Sequence, residues 1–174
     1  MTDDPRIDEG GIEDELREIR GALFDDTIRV LGPAEPICLA PTATVGEAIE
    51  RMLARRQAAV LIVETDGRLA GIFTERDVLT RVAGRGRDAA RTALGEVMTR
   101  EPEALHVADR IALAVHCMSV AGYRTVPLVD DGRRPIGIVT VNDVIRWLAG
   151  LFPEAVLNLP PTDRLKQPHQ IDAG

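Results

Sequence analysis

The chain has 174 residues, enough for one domain or two small ones around a shared core, which excludes a large multidomain enzyme. Hydrophobic residues at 45% supply a core, whereas aromatics at 3% leave little with which to stack nucleic-acid bases. Twenty-one basic against 28 acidic residues give a net charge of −7, unfavourable for a phosphate backbone or an anionic membrane surface, so a phosphate ligand has to meet a local basic spot.

The start, MTDDPRIDEGG, is acidic and lacks the apolar stretch of an export signal, and no apolar run approaches about 18 residues. A cytoplasmic protein that neither spans a membrane nor binds nucleic acid is expected. Within residues 1–27, Ile12, Leu16, Ile19 and Leu23 mark one face of an amphipathic helix that needs something to cover.

Residues 28–84 read as strand, helix, two strands, helix. Thr44 opens the first helix with Glu47 three residues on as a capping box, and Val45, Ala48, Ile49, Met52 and Leu53 form its apolar stripe. Val60–Val63, a turn at Asp66-Gly67 and Leu69–Phe73 read as a hairpin, followed by a helix from Thr74 past Val78, Leu79 and Val82. Residues 85–93 are a polar, basic linker. Residues 94–150 repeat the pattern: a helix with Asp109 as N-cap, strand Val126–Val129, a turn at Asp131-Gly132, strand Ile136–Val139 and a helix from Thr140. The tail, 151–174, carries Pro153, Pro160, Pro161 and Pro168 and should be extended.

The two halves are copies of one another. GIFTERDVL at 71–79 returns as GIVTVNDVI at 137–145, Asp143 lying 66 positions after Asp77, and the same offset pairs Glu35-Pro36 with Glu101-Pro102, Met52 with Met118 and Val60 with Val126. Chemistry-bearing patterns are sparse by comparison. Cys38 and Cys117 have no partner spacing for a disulfide or zinc, His106, His116 and His169 stand apart, and no nucleophile with supporting residues and no phosphate-binding glycine loop is present. The paired Thr-x-x-Asp segments are the exception. Each is either a helix capping box that the backbone consumes or a carboxylate offered to a ligand.

The paired G-h-h-T-x-x-D segments, the strand Val126-Pro127-Leu128-Val129 and the entry motif Leu94-Gly95-Glu96-Val97-Met98-Thr99 together resemble the tandem CBS-domain pair, or Bateman module. The resemblance implies an α/β (α+β) fold of two β-α-β-β-α units packed with pseudo-two-fold symmetry. It implies a non-catalytic regulatory module with no cofactor, whose two clefts take an adenosine-containing ligand such as AMP, ADP or ATP. The aspartate then accepts both ribose hydroxyls and the threonine contacts ribose or phosphate, which singles out Thr74 with Asp77 and Thr140 with Asp143. Ile72 and Ile138 are implied base contacts or ordinary core, and Gly71 and Gly137 either permit the hairpin or let a ligand approach. Residues before the second strand of each unit, Ala58-Ala59 and Arg124-Thr125, also reach the clefts, and Arg124 alone offers a fork of donors to phosphate. The linkers contribute Gly32 and Ile37 to one cleft, Met98 and Glu103 to the other, and Glu103 disfavours an anion beside Asp77. The cleft on Asp143 is therefore the expected site.

Two partners are also expected: an unidentified regulated protein, and a second copy of the chain. The second unit's helices carry extra apolar residues (Leu113, Cys117, Val120; Trp147 and Leu151 beyond a core stripe of Val144, Ile145 and Leu148), which points to a homodimer, with the N-terminal helix through Leu16 and Leu23 as the competing cover. The alternative function is a ligand-independent dimeric scaffold in which Thr-x-x-Asp only caps helices.

Overall fold

The computed structural model describes residues 9–151, without the side chains of 9–12 and 15, so the expectations for Ile12, the proline-bearing tail and His169 lie outside the described residues. Helix α1 (Glu9–Asp25) leads into a one-turn 3-10 helix, Ile28–Leu31. The first unit follows as β1 (Cys38–Leu39), α2 (Val45–Arg55), β2 (Ala59–Val63), β3 (Leu69–Thr74) and α3 (Glu75–Asp77). The helix after Thr74 is irregular: beyond α3 it widens to a π turn over Val78–Val82 and closes as a 3-10 turn at Ala83–Arg85. The second unit comprises α4 (Leu94–Val97), β4 (Thr99–Arg100), α5 (Ile111–Val120), β5 (Thr125–Val129), β6 (Pro135–Thr140) and α6 (Val141–Leu151).

Local sequence accounts for most of these elements. Thr44 is the N-cap of α2, its hydroxyl oxygen accepting the Glu47 N–H at 3.2 Å, and Val45, Ala48 and Met52 are buried. Leu53 is exposed, because the buried face of α2 is narrower than the expected stripe. In the first hairpin Gly67 takes the left-handed conformation (φ 82°), as the turn demands. In the second that conformation falls on Arg133 (φ 61°), which occupies the position equivalent to Gly67, and not on Gly132.

The first sheet has the order β1-β2-β3-β4, with β1 parallel to β2 and the other pairs antiparallel. In the second unit β5 and β6 form the hairpin, and the outer strands shrink to single bridges, Leu105 parallel to Leu128 and Ala34 antiparallel to Ile138. The edges are exchanged. β4, from the start of the second repeat, borders the first unit's hairpin, while Ala34, from the start of the first, borders the second's.

The entry turns are exchanged as well. Ile28 and Leu31 are buried with Leu105, Ile111, Ala114, Val126 and Leu128 of the second unit, and Leu94, Val97 and Met98 are buried with Val45, Ala48, Val60 and Phe73 of the first. Backbone bonds hold each exchange: Val45 N–H to the Thr92 carbonyl (3.0 Å) and Leu94 N–H to that of Ala43 (2.9 Å), mirrored by Ile111 to Asp26 (3.1 Å) and Ile28 to Asp109 (2.8 Å). This moves the cap of α5 from its expected place. Arg110 is the N-cap, the Ile111 N–H is satisfied by the Asp26 carbonyl, and the Asp109 carboxylate instead accepts the His106 N–H at 2.7 Å. A third cluster, Ala59, Leu61, Leu69, Ile72, Val129 and Ile138, packs the two hairpins against each other.

The outer helix faces differ from expectation in which residues point out. Val144 and Trp147 of α6 pack on the second core while Ile145 and Leu148 are exposed; on α5 Cys117 is buried and Leu113 and Val120 are exposed. Helix α1 touches this region through Leu23, and Leu16 is exposed. Among the described residues no helix is long and apolar enough to cross a membrane.

Candidate functional site

Each hairpin ends on a threonine whose strand runs straight into a helix. Thr74 is still extended (φ −124°, ψ 167°), and Asp77 turns back on it: Asp77 Oδ2 accepts the Thr74 N–H at 2.9 Å and the Thr74 hydroxyl at 2.7 Å. Thr140 and Asp143 repeat this at 2.8 and 2.7 Å, and the Asp143 N–H donates to the Thr140 hydroxyl oxygen at 3.3 Å. The capping box thus engages one oxygen of each carboxylate and leaves Oδ1 for another donor.

That second oxygen meets an arginine which the sequence reading passed over. Arg81 Nε lies 3.0 Å from Asp77 Oδ1 and Arg146 Nη1 lies 3.1 Å from Asp143 Oδ1. Their spacing, i to i+4 and i to i+3 along a helix, was the available signal. The two arginines are held differently. Arg81 also donates to the Val97 carbonyl at 2.8 Å and to the Thr99 hydroxyl at 3.0 Å, whereas the Arg146 side chain is 75% exposed and among the described residues pairs with Asp143 alone.

The other candidate residues divide between cleft, core and strand edge. Ala59 and Thr125 begin the strands paired directly opposite Thr74 and Thr140. Just before them, the Ala58 and Arg124 carbonyls accept the Glu75 and Val141 N–H groups at 3.0 and 3.1 Å, which fixes both residues at the helix starts. Arg124 is exposed there. Ile72, Ile138 and Ala59 belong to the core between the hairpins. Gly71 and Gly137 have their own reason: the exchanged entry strands lie against them. A Cβ on Gly71 would come within 2.4 Å of Met98 Sδ and 2.9 Å of the Thr99 carbonyl oxygen, and one on Gly137 within 3.3 Å of Pro33 Cβ. Gly32 is exposed and left-handed (φ 63°), with open space above it.

The two outer linker residues have packing partners of their own. Ile37 is buried in the first unit's core. Glu103 lies at Cys117 of α5, where burial, followed by the hydrogen bond to this carboxylate, pushes the thiol's pKa up. Met98 packs over Gly71.

Comparison with known proteins places this architecture. The CBS domain model matches residues 33–84 and 94–150. A fission yeast protein, the meiotically up-regulated gene 70 protein of Schizosaccharomyces pombe, is 33% identical over 125 residues, covering 71% of this chain and 17% of the relative. The Arabidopsis thaliana CBS domain-containing protein CBSCBSPB2 is 31% identical over 123 residues, 70% of this chain and 22% of its own length. The chain therefore spans about a fifth of these curated relatives. Among solved structures, the CBS domain pair of protein MJ0100, in complex with 5'-methylthioadenosine and S-adenosyl-L-methionine, superposes with a TM-score of 0.63 at 27% identity over 70% of this chain and 98% of that one. The CBS-domain protein ATU1752 of Agrobacterium tumefaciens gives 0.64 at 26% identity over 70% and 98%. With the family model matching most of the chain in two consecutive segments, and with both segments built as strand-edged hairpins flanked by helices, the chain belongs to the CBS-domain family as a tandem pair.

Proposed function

We propose that this CBS pair is a cytoplasmic, non-catalytic regulatory module that binds an adenosine-containing ligand of the AMP, ADP or ATP type in the cleft built on Asp143 and transmits its occupancy to a partner protein through the packing of the two units. The observation that carries the reading is the state of Asp143. One oxygen is fixed by Thr140, and among the described residues the other is met only by the exposed Arg146, which a ribose can replace with a vicinal pair of hydroxyls. On this reading Thr140, Thr125, Gly137, Ile138 and Gly32 line the site, and Arg124, exposed beside the start of the helix, meets the phosphate. The similar MJ0100 pair, bound to methylthioadenosine and S-adenosylmethionine, supports adenosine as the recognised part.

Unfolding scans with AMP, ADP, ATP, methylthioadenosine and S-adenosylmethionine test this. A true ligand at a hundredfold excess over its dissociation constant stabilises the fold by about 2.7 kcal/mol, and Asp143→Ala removes most of that gain. Equal shifts in wild type and Asp143→Ala would assign the ligand elsewhere. The second reading, a scaffold in which the aspartates only cap helices, is favoured by the engagement of Oδ2 in both boxes, and it requires that none of the five compounds shifts the transition.

We also propose a homodimer. Leu113 and Val120 on α5 and Ile145 and Leu148 on α6 present exposed apolar side chains on neighbouring helices, beside the place where α1 packs through Leu23. Light scattering is expected to give twice the chain mass for wild type and the single mass for Leu113→Glu. A monomer in both rejects the dimer.

A further inference from the structure

The two clefts, built from copies of one sequence, are not equivalent, and the difference lies in three positions where the copies diverge. The residue four places after the aspartate is Arg81 in the first unit and Trp147 in the second; the entry strand reads Met98-Thr99 beside the first and Gly32-Pro33 beside the second. In the first cleft these residues work together. Arg81 spans from Asp77 Oδ1 (3.0 Å) to the Val97 carbonyl (2.8 Å) and the Thr99 hydroxyl (3.0 Å), so its guanidinium ties the first unit's helix to the entry segment of the second. Met98, 7% exposed, fills the space over Gly71. In the second cleft the partly buried Trp147 packs against the second core, Pro33 has no hydroxyl to offer, and Gly32 leaves empty the position that Met98 fills.

We infer that the first cleft is occupied by the chain's own Arg81, so that this CBS pair takes one adenosine-type ligand per chain, at Asp143, and that Arg81 is the residue that sets this number. A guanidinium bonded to this carboxylate uses the acceptor oxygen that a ribose hydroxyl would need, and its other two placed donors hold it to the entry segment. Arg81 also lines a hollow of ≈ 550 Å³ with Thr80, Arg85, Arg87, Glu96 and Val97, whose lining includes neither Asp77 nor Thr74. The inference rests on the ligand reading above, and its test separates the two.

Calorimetric titration of the full chain with AMP is expected to give one equivalent for wild type, two for Arg81→Ala, none for Asp143→Ala, and one again for the Arg81→Ala/Asp143→Ala double variant, now at the opened first cleft. Two equivalents in wild type, or one in Arg81→Ala, overturns the plug. If AMP binds to no variant, the ligand reading fails and the plug is judged without it: Arg81→Gln is expected to lower the unfolding temperature more in the wild-type background than in Asp77→Asn. Equal falls in the two backgrounds overturn it, since the guanidinium would then owe nothing to the carboxylate.

Discussion

Ile28→Ala is expected to destabilise the whole chain by about 2–5 kcal/mol, the cost of a large-to-small change in a packed core, although Ile28 lies at the very start of the first repeat and ahead of the segment matched by the family model. Its side chain is fully buried, among residues of the second repeat. Leu94→Ala, its counterpart in the first unit's core, is expected to cost a similar amount. Typical domains hold roughly 5–15 kcal/mol in all, so either change removes a large part of the margin, and the double variant should not fold at body temperature. Urea unfolding followed by circular dichroism measures this. A loss under about 0.5 kcal/mol for Ile28→Ala, the size of an ordinary surface substitution, would mean that the entry turn does not belong to the second core.

The second large effect concerns phosphate. Arg124→Ala is expected to weaken AMP and ATP by about 1.5–3 kcal/mol, roughly ten- to a hundredfold, and to leave adenosine almost unchanged. Backbone bonding holds Arg124 next to Thr140, its side chain is exposed, and among the described residues it makes no ion pair that a phosphate would have to displace. The equivalent residue of the first unit, Ala58, offers the same carbonyl bond and no charge. A charge acting at a partly exposed site is screened by salt, so the Arg124 contribution should shrink as ionic strength rises. Titrations of adenosine and AMP at two salt concentrations decide it. Equal losses for both ligands would assign Arg124 to the fold and not to the phosphate.

The repeat was legible in the sequence because a single offset carries apolar positions onto apolar positions, and a core face leaves that periodic trace wherever it packs. The Thr-x-x-Asp boxes were legible for the same local reason. The exchange of entry turns was not. Ile28 and Leu94 stand in identical register whether each packs on its own copy or on the other, so the symmetry that reveals the duplication hides the swap. Trp147 shows a second limit: on a helix apolar over most of its surface, periodicity cannot say which stripe faces in, and Val144 of the expected stripe packs on the core with Trp147, while Ile145 and Leu148 are exposed. At the site, Glu103 seemed to disfavour the first cleft by its charge. Its carboxylate also acts on Cys117, and the charge that meets Asp77 itself is that of Arg81, four residues on along the same helix.

The exchanged entry turns separate the covalent link between the repeats from the structural one. The peptide that joins them crosses 85–91, where nearly every residue is exposed and a single long-range backbone bond, from the Gly46 N–H to the Ala89 carbonyl (2.9 Å), ties it to the first unit. What binds the halves is elsewhere: residues 26–34 lie in the second unit, residues 92–100 lie in the first, and the hairpins face each other across a shared core. The halves are clasped, each gripping a finger of the other. A protease that cuts the exposed joint would therefore sever the chain without parting it, and domain boundaries inferred from such a cut, or from where the repeat begins, would divide two bodies that each carry a piece of the other's interior.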